Sequence, residues 1–277
     1  FSLSWNDRLF DKKLQYSVTL GLSDNTSTIT RYSGNPTYSL SDHYPGEKLG
    51  SIWGYTTEGF YKTDQEAAAV DNSYLAGYTW LAGDLKYADL NHDGKINNGA
   101  NTVPDHGDMK VLGYNTPRYK IGFNLSLSYK GFDFTTFIQG VLKNDFSPTG
   151  NSVFNAFPND EWGIPYGYAI DYWTPETPNA YFPRPRFAGG GNNQAQTQYL
   201  QSAAYARVKQ LTLGYNLPKE WINRINIQGV RVYVTGANLI TFTSLFKGFD
   251  PEIVNFGGNF NTYPINKSVS FGLRVTL

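Results

Sequence analysis

Several stretches of the chain alternate apolar and polar residues with a period of two. In KLQYSVTLGLSDN, Leu14, Tyr16, Val18, Leu20 and Leu22 are apolar, whereas Gln15, Ser17, Thr19, Gly21 and Ser23 are small or polar. In RYKIGFNLSLSYK, Tyr119, Ile121, Phe123, Leu125, Leu127 and Tyr129 alternate with Lys120, Gly122, Asn124, Ser126, Ser128 and Lys130. The chain closes on SVSFGLRVTL, with Val269, Phe271, Leu273, Val275 and Leu277 apolar and Ser268, Ser270, Gly272, Arg274 and Thr276 small or polar. Such alternation predicts two-faced β-strands. A run of about ten residues is long enough to cross a bilayer at a tilt. Further strands are predicted at Leu49–Tyr61, Phe132–Asn144, Ala203–Asn216 and Gly229–Ile240.

A soluble sandwich also alternates. Against it stand strands longer than the usual five or six residues. Short turns at NDRLFDKK, YKG and LPKEWINRINIQ contrast with much longer connectors, and Tyr, Trp and Phe gather near strand ends. Both are habits of outer-membrane barrels. The expected architecture is therefore all-β, a transmembrane antiparallel β-barrel with long extracellular loops. If every short turn faces one side, an even number of strands separates Leu14–Asn25 from Arg118–Lys130. Leu49–Tyr61 is one, and the second is expected near Gly83–Asp89, giving about nine strands. Nine is odd for a whole bacterial barrel. With Phe1 opening directly into FSLSW, the chain is expected to be the carboxy-terminal piece of something longer.

Composition narrows the classes. The 23 basic and 23 acidic residues cancel, so no net field draws nucleic acid. Without Cys there is neither a disulfide framework nor a thiolate metal site. No apolar run approaches the ~20 residues of a membrane helix, which excludes helical spans and says nothing of a barrel.

The ordered set GDLKYADLNHDGKIN, GFNLSLSYKGFDFTTFIQG, YARVKQLTLGYNLP, RVYVTGANLITFT and KGFDPEI resembles the carboxy-terminal barrel region of SusC/RagA-like TonB-dependent outer-membrane transporters. The similarity runs over nearly the whole chain. It implies a barrel of about twenty-two strands, of which residues 1–277 supply about the last nine. The amino-terminal plug and the TonB-contacting segment lie outside the chain. The resemblance also implies an outer membrane of a Bacteroidota-type Gram-negative bacterium and a SusD-like surface lipoprotein as lid. Oligosaccharide or peptide is the implied cargo, and TonB the energy source. It makes Phe271, Leu273, Val275 and Leu277 the assembly signal of a closing terminal strand. Relatives usually end on Phe, where this chain has Leu277.

DLNHDGKIN carries the sharpest local motif. Asp89, Asn91 and Asp93 take the first, third and fifth places of a calcium loop, Gly94 the turn, and the Lys95 carbonyl and Asn97 the next ligand places. Ala100 stands where the bidentate acid belongs, and the nearest substitutes are Asp105 and Asp108. The competing reading is an Asx-turn loop held by its own side chains. In the connector Asp145–Gln201, Trp162, Tyr166, Tyr168, Tyr172 and Trp173 are candidate contacts for cargo or lid, or else pack within the loop. FAGGGNNQ at Phe187–Gln194 reads as a mobile loop, and Pro218–Ile227 as a short amphipathic turn. Enzyme function is not expected: His43, His92 and His106 have no catalytic spacing, and no nucleophile or phosphate-loop motif occurs. The alternative from another class is a secreted β-rich carbohydrate-binding or adhesion module.

Overall fold

The alternating stretches form one antiparallel sheet. The computed structural model describes residues 1–11, 13–75, 79–148, 171–185, 190–222, 227–247, 249–254 and 265–277. The strands are β1 (Ser2–Leu9), β2 (Leu14–Ser23), β3 (Ser51–Gly54), β4 (Thr57–Phe60), β5 (Leu85–Tyr87), β6 (Lys110–Tyr114), β7 (Arg118–Tyr129) and β8 (Phe132–Lys143). They continue with β9 (Asp145–Phe146), β10 (Gln201–Ser202), β11 (Tyr205–Asn216), β12 (Gly229–Ala237), β13 (Thr241–Thr243) and β14 (Ser268–Thr276). Two short helices, α1 (Asp64–Ala68) and α2 (Lys219–Ile222), interrupt them. No described helix is long and apolar enough to cross a membrane.

Among the described residues, seven long strands run side by side in the order β1-β2-β7-β8-β11-β12-β14, with the short β13 beside β11. This corrects the expected pair of strands between Leu14–Asn25 and Arg118–Lys130. β2 pairs directly with β7 from Leu14↔Tyr129 to Ser23↔Lys120, so no strand crosses between them. Leu49–Tyr61 splits instead into β3, paired with β6, and β4, paired with β5 near the expected Gly83–Asp89. Gly50 and Gly59 adopt φ of 83° and 118°, conformations that Gly reaches and other residues avoid. The run itself breaks at Tyr55–Thr56, where Tyr55 turns its backbone to Ala195 and Thr197, and leaves pieces of four residues, too short to cross a bilayer. The first turn is also shorter than expected, because β1 continues through Asn6–Leu9.

Register gives the sheet two chemically opposite faces. On one face Asn6, Ser17, Ser126, Thr135, Thr212, Thr235 and Ser270 lie in a single row across all seven strands. Within it the Thr212 and Thr235 hydroxyls are 2.9 Å apart. One row along, Arg231 donates to Asp133 (Nε to Oδ1 2.9 Å) over Gly214, whose missing Cβ would come within 2.6 Å of both partners. The Tyr233 ring lies under the Arg231 guanidinium at 4.7 Å and covers Gly272 on the next strand. Glycine at these two strand positions is thus space for a polar ladder.

The opposite face carries Tyr16, Leu127, Phe134, Leu213, Val234 and Phe271 in one row, and Leu14, Tyr129, Phe132, Tyr215, Val232 and Leu273 in the next. It is bare: Phe271 is 86% and Leu273 65% exposed. A β-bulge between Val208 and Gln210 keeps Arg207 and Gln210 on the polar face despite the odd step, which removes strict alternation from YARVKQ.

The connectors 24–117 and 144–204 carry their own core. Tyr55, Phe60, Tyr61, Ala67, Trp80, Leu85, Tyr87 and Ile96 pack with Trp173, Ala180, Phe182 and Tyr199. The Tyr55 amide donates to the Ala195 carbonyl (2.8 Å) and its carbonyl accepts from Thr197 (3.1 Å). Gly54 makes this docking feasible, because a Cβ there would lie 2.3 Å from the Ala195 carbonyl oxygen. Gly54→Ala should therefore part the two connectors, costing roughly 1–3 kcal/mol. Limited proteolysis should cut the connectors of this variant several-fold faster while the long strands stay protected. Unchanged cleavage would refute the docking role.

Candidate functional site on the outer connectors

At the connector surface, Lys62, Asp64, Tyr172, Trp173, Arg184 and Pro185 line an open groove of about 580 Å³. Thr63 caps α1 by accepting the Glu66 amide (3.1 Å), and Glu66 accepts the Lys62 amide in return (2.8 Å). This reciprocal capping holds the Lys62 end of the groove. The other end rests on Gly83, against which Trp173 and Arg184 both lie. Tyr172 presents its ring at 39% exposure, whereas Trp173 is 5% exposed and belongs to the connector core. Trp162, Tyr166 and Tyr168 lie outside the described residues.

The Gly-rich stretch is built in. Gly190–Asn193 forms a short 3-10 helix. Asn192 is buried, accepting the Leu85 amide (2.8 Å) and donating to Asp84 (2.9 Å), while the Tyr87 hydroxyl donates to the Gly191 carbonyl (2.9 Å). The expected mobile loop is, over these residues, a pin between the connectors. Burial pushes the Tyr55 and Tyr199 phenols above their ordinary value, with the Asp108 charge adding at Tyr55. Both remain neutral at physiological pH.

The Asp89 loop folds on itself. Asp89 accepts the amides of His92 (2.6 Å) and Gly94 (2.9 Å), Asn91 that of Asp93 (3.0 Å), and Asp93 that of Lys95 (2.8 Å). The Lys95 amide is also the main reason that the Asp93 carboxyl sits below the usual carboxylate range. Asp108 is fully buried and accepts from Leu90 (2.8 Å) and Asn97 (2.8 Å). Asp105 accepts from Ala100 (3.1 Å) and Asn97 from Gly99 (2.7 Å). Among the described residues no three carboxylate or imidazole groups converge as a metal-holding set. The calcium expectation for Asp89, Asn91, Asp93, Lys95, Asn97, Asp105 and Asp108 is therefore not supported. Short acidic side chains serve backbone amides equally well, and spacing alone cannot separate the two uses.

An unforeseen cluster ties the connectors to the sheet. Arg207, 3% exposed on β11, donates to both oxygens of Asp250 (2.7 and 2.8 Å), to Glu252 (2.5 Å) and to Thr241 (2.8 Å). Lys209, the extra residue of the bulge, reaches Glu252 at 3.0 Å. Beyond this clamp, Leu245 packs with Phe146 and Ala203, and Phe249 joins that patch to the main connector core. The residues stood in two of the motifs, YARVKQ and KGFDPEI, but a separation of 43 to 45 positions hid their pairing.

With the geometry in hand, comparison with known proteins gives a consistent answer. No family model matches the chain. It is 30% identical to the TonB-dependent receptor P3 of Formosa agariphila over 248 residues, covering 83% of this chain and 22% of the relative. It is 31% identical to receptor P26 of the same organism over 250 residues, 83% and 23% of the two chains. To the TonB-dependent receptor SusC of Bacteroides thetaiotaomicron it is 22% identical over 289 residues, 96% of this chain and 24% of the relative. The solved RagAB peptide transporter shares the fold at a TM-score of 0.69 and 21% identity, over 99% of this chain and 28% of that one.

An antiparallel wall of long two-faced strands under large packed connectors, with these relatives, is a portion of an outer-membrane β-barrel of the TonB-dependent receptor class. Within that class the chain belongs to the SusC/RagA-like TonB-dependent receptors. It spans about a quarter of the length of the curated relatives it matches.

The Arg207 clamp makes a testable claim. Arg207→Gln leaves two carboxylates facing each other in a partly dry site, at a cost of roughly 3 kcal/mol. Lys209→Gln, at a more exposed position, should cost under about 1 kcal/mol. Hydrogen exchange should quicken in 245–254 for the first variant and hardly for the second. Equal protection in both would remove the clamp.

Proposed function

We propose that the chain is the carboxy-terminal barrel segment of a SusC-like TonB-dependent importer of oligosaccharides or peptides in the outer membrane of a Bacteroidota-type bacterium. The observation that carries this reading is the bare apolar face of the sheet. A soluble protein covers such a face, and a bilayer requires it. The hydroxyl row then lines the lumen, where a plug and passing cargo are wet and polar. A secreted module is disfavoured by the same rows of exposed rings and aliphatic chains.

In this reading the plug, the TonB contact and the remaining strands come from the rest of the protein. The remaining strands pair with the free edges of β1 and β14, so that the barrel has no exposed edge. Phe271, Leu273, Val275 and Leu277 serve as the assembly signal of the closing strand. The connectors form the outer mouth, under a SusD-like lipoprotein lid. Cargo or lid is met by the groove that holds Tyr172, Arg184 and Lys62, with Trp173 setting its floor; Trp162, Tyr166 and Tyr168 are assigned to the same contact.

Two measurements test the two halves of this reading. Placing Arg on the lipid face near mid-bilayer costs ~2–4 kcal/mol, so Leu273→Arg should impair folding into vesicles far more than Ser270→Arg. Equal effects would defeat the membrane assignment. In the complete transporter, Tyr172→Ala with Arg184→Gln should leave barrel assembly intact and lower lid copurification or cargo uptake by about tenfold, a typical loss for a surface anchor. Normal uptake and normal lid retention would return Tyr172 to mere loop surface.

A further inference from the structure

We propose that the apolar face carries a discrete binding site for one anionic phospholipid, at the end of the wall where the short turns lie. This rests on the reading that the face meets a bilayer. Phe10, Leu14, Leu127, Tyr129, Phe132 and Phe134 line a groove of about 390 Å³ on that face. The groove follows from register. Leu14, Tyr129 and Phe132 make one cross-strand row, Leu127 and Phe134 belong to the next, and Phe10 overhangs from the turn between β1 and β2.

Apolar rings and branched chains of this kind hold an acyl chain. The cations stand where its headgroup would emerge. Lys130 occupies the β7–β8 turn at φ 46°, and its ammonium lies 5.3 Å over the Tyr129 ring, on the groove side of the sheet. Lys13 precedes Leu14 just as Lys130 follows Tyr129, so the Leu14↔Tyr129 pair brings both to one level. The acids at this end are Asp7, one strand further on with its carboxylate accepting the Arg8 amide at 2.7 Å, and Asp11 in the exposed turn that also holds Phe10 and Lys13. An apolar groove with the Lys130 ammonium at its end, and Lys13 at the same level of the neighbouring strand, matches the two ends of a phospholipid.

The test uses the complete transporter in mild detergent and native mass spectrometry with added phosphatidylglycerol or phosphatidylcholine. The wild-type protein should retain phosphatidylglycerol preferentially, and Lys13→Gln with Lys130→Gln should lower that preference roughly tenfold or more. Phe132→Ala should weaken retention of both lipids, since it opens the groove and leaves the headgroup contacts. Equal preference in wild type and the double lysine variant would overturn the site. Inability of the wild-type protein to insert into vesicles would instead overturn the membrane reading, and the site with it.

Discussion

The register of the seven long strands is the constraint on which the rest depends. A strand has a period of two, so a slip of one residue in any pair would carry its whole apolar set to the other face. In the observed register six hydroxyl-bearing residues and Asn6 align in one row while rings and aliphatic chains align behind them. The glycines fit this logic. Gly214 and Gly272 leave room for the Asp133–Arg231 pair and for Tyr233, whose reach spans neighbouring strands. The bulge at Val208/Gln210 then adds a residue without reversing the faces, and turns Lys209 toward Glu252.

Above the wall, energetics change character. The sheet holds itself by backbone ladders with little burial of its apolar face, whereas the connectors bury twelve hydrophobic residues in a true core. Burial of this kind confers order on segments with almost no regular secondary structure. The connectors are joined to each other by backbone contacts at Tyr55 and by Asn192, and to the wall by Arg207. A partly dry cation with three acidic oxygens in reach is costly to break. Arg207, with Lys209 beside it, thus holds the 249–254 segment against β11, and Phe249 carries that hold to the connector core.

Function follows from this division. The apolar face of the sheet needs only apolar character, which many sequences supply. The groove at Tyr172 and the connectors around it need particular shapes, and there the chain departs from periodic pattern. A sheet built this way can vary its connectors without disturbing strand pairing, because the connectors leave the ladder intact.

The sequence by itself determined the long strands, their faces and the two-sided chemistry, because each is a local pattern with a fixed period. Leu14–Ser23, Arg118–Tyr129 and Ser268–Thr276 were legible for that reason. So was the family, through motifs in order. Tertiary structure alone decided what period cannot carry. Leu49–Tyr61 alternates well enough to pass for a wall strand, yet it breaks at Tyr55 into two four-residue strands whose partners lie 25 or more residues away. The Asp89 loop has the spacing of a cation site, but spacing does not say whether carboxylates face an ion or their own amides; Asp108, brought in by the fold, takes amides. Arg207 finds Asp250 and Glu252 across more than 40 residues, and Trp173 becomes core where its neighbour Tyr172 stays exposed. Contacts between distant segments depend on how loops close on one another, and no local periodicity encodes that closure.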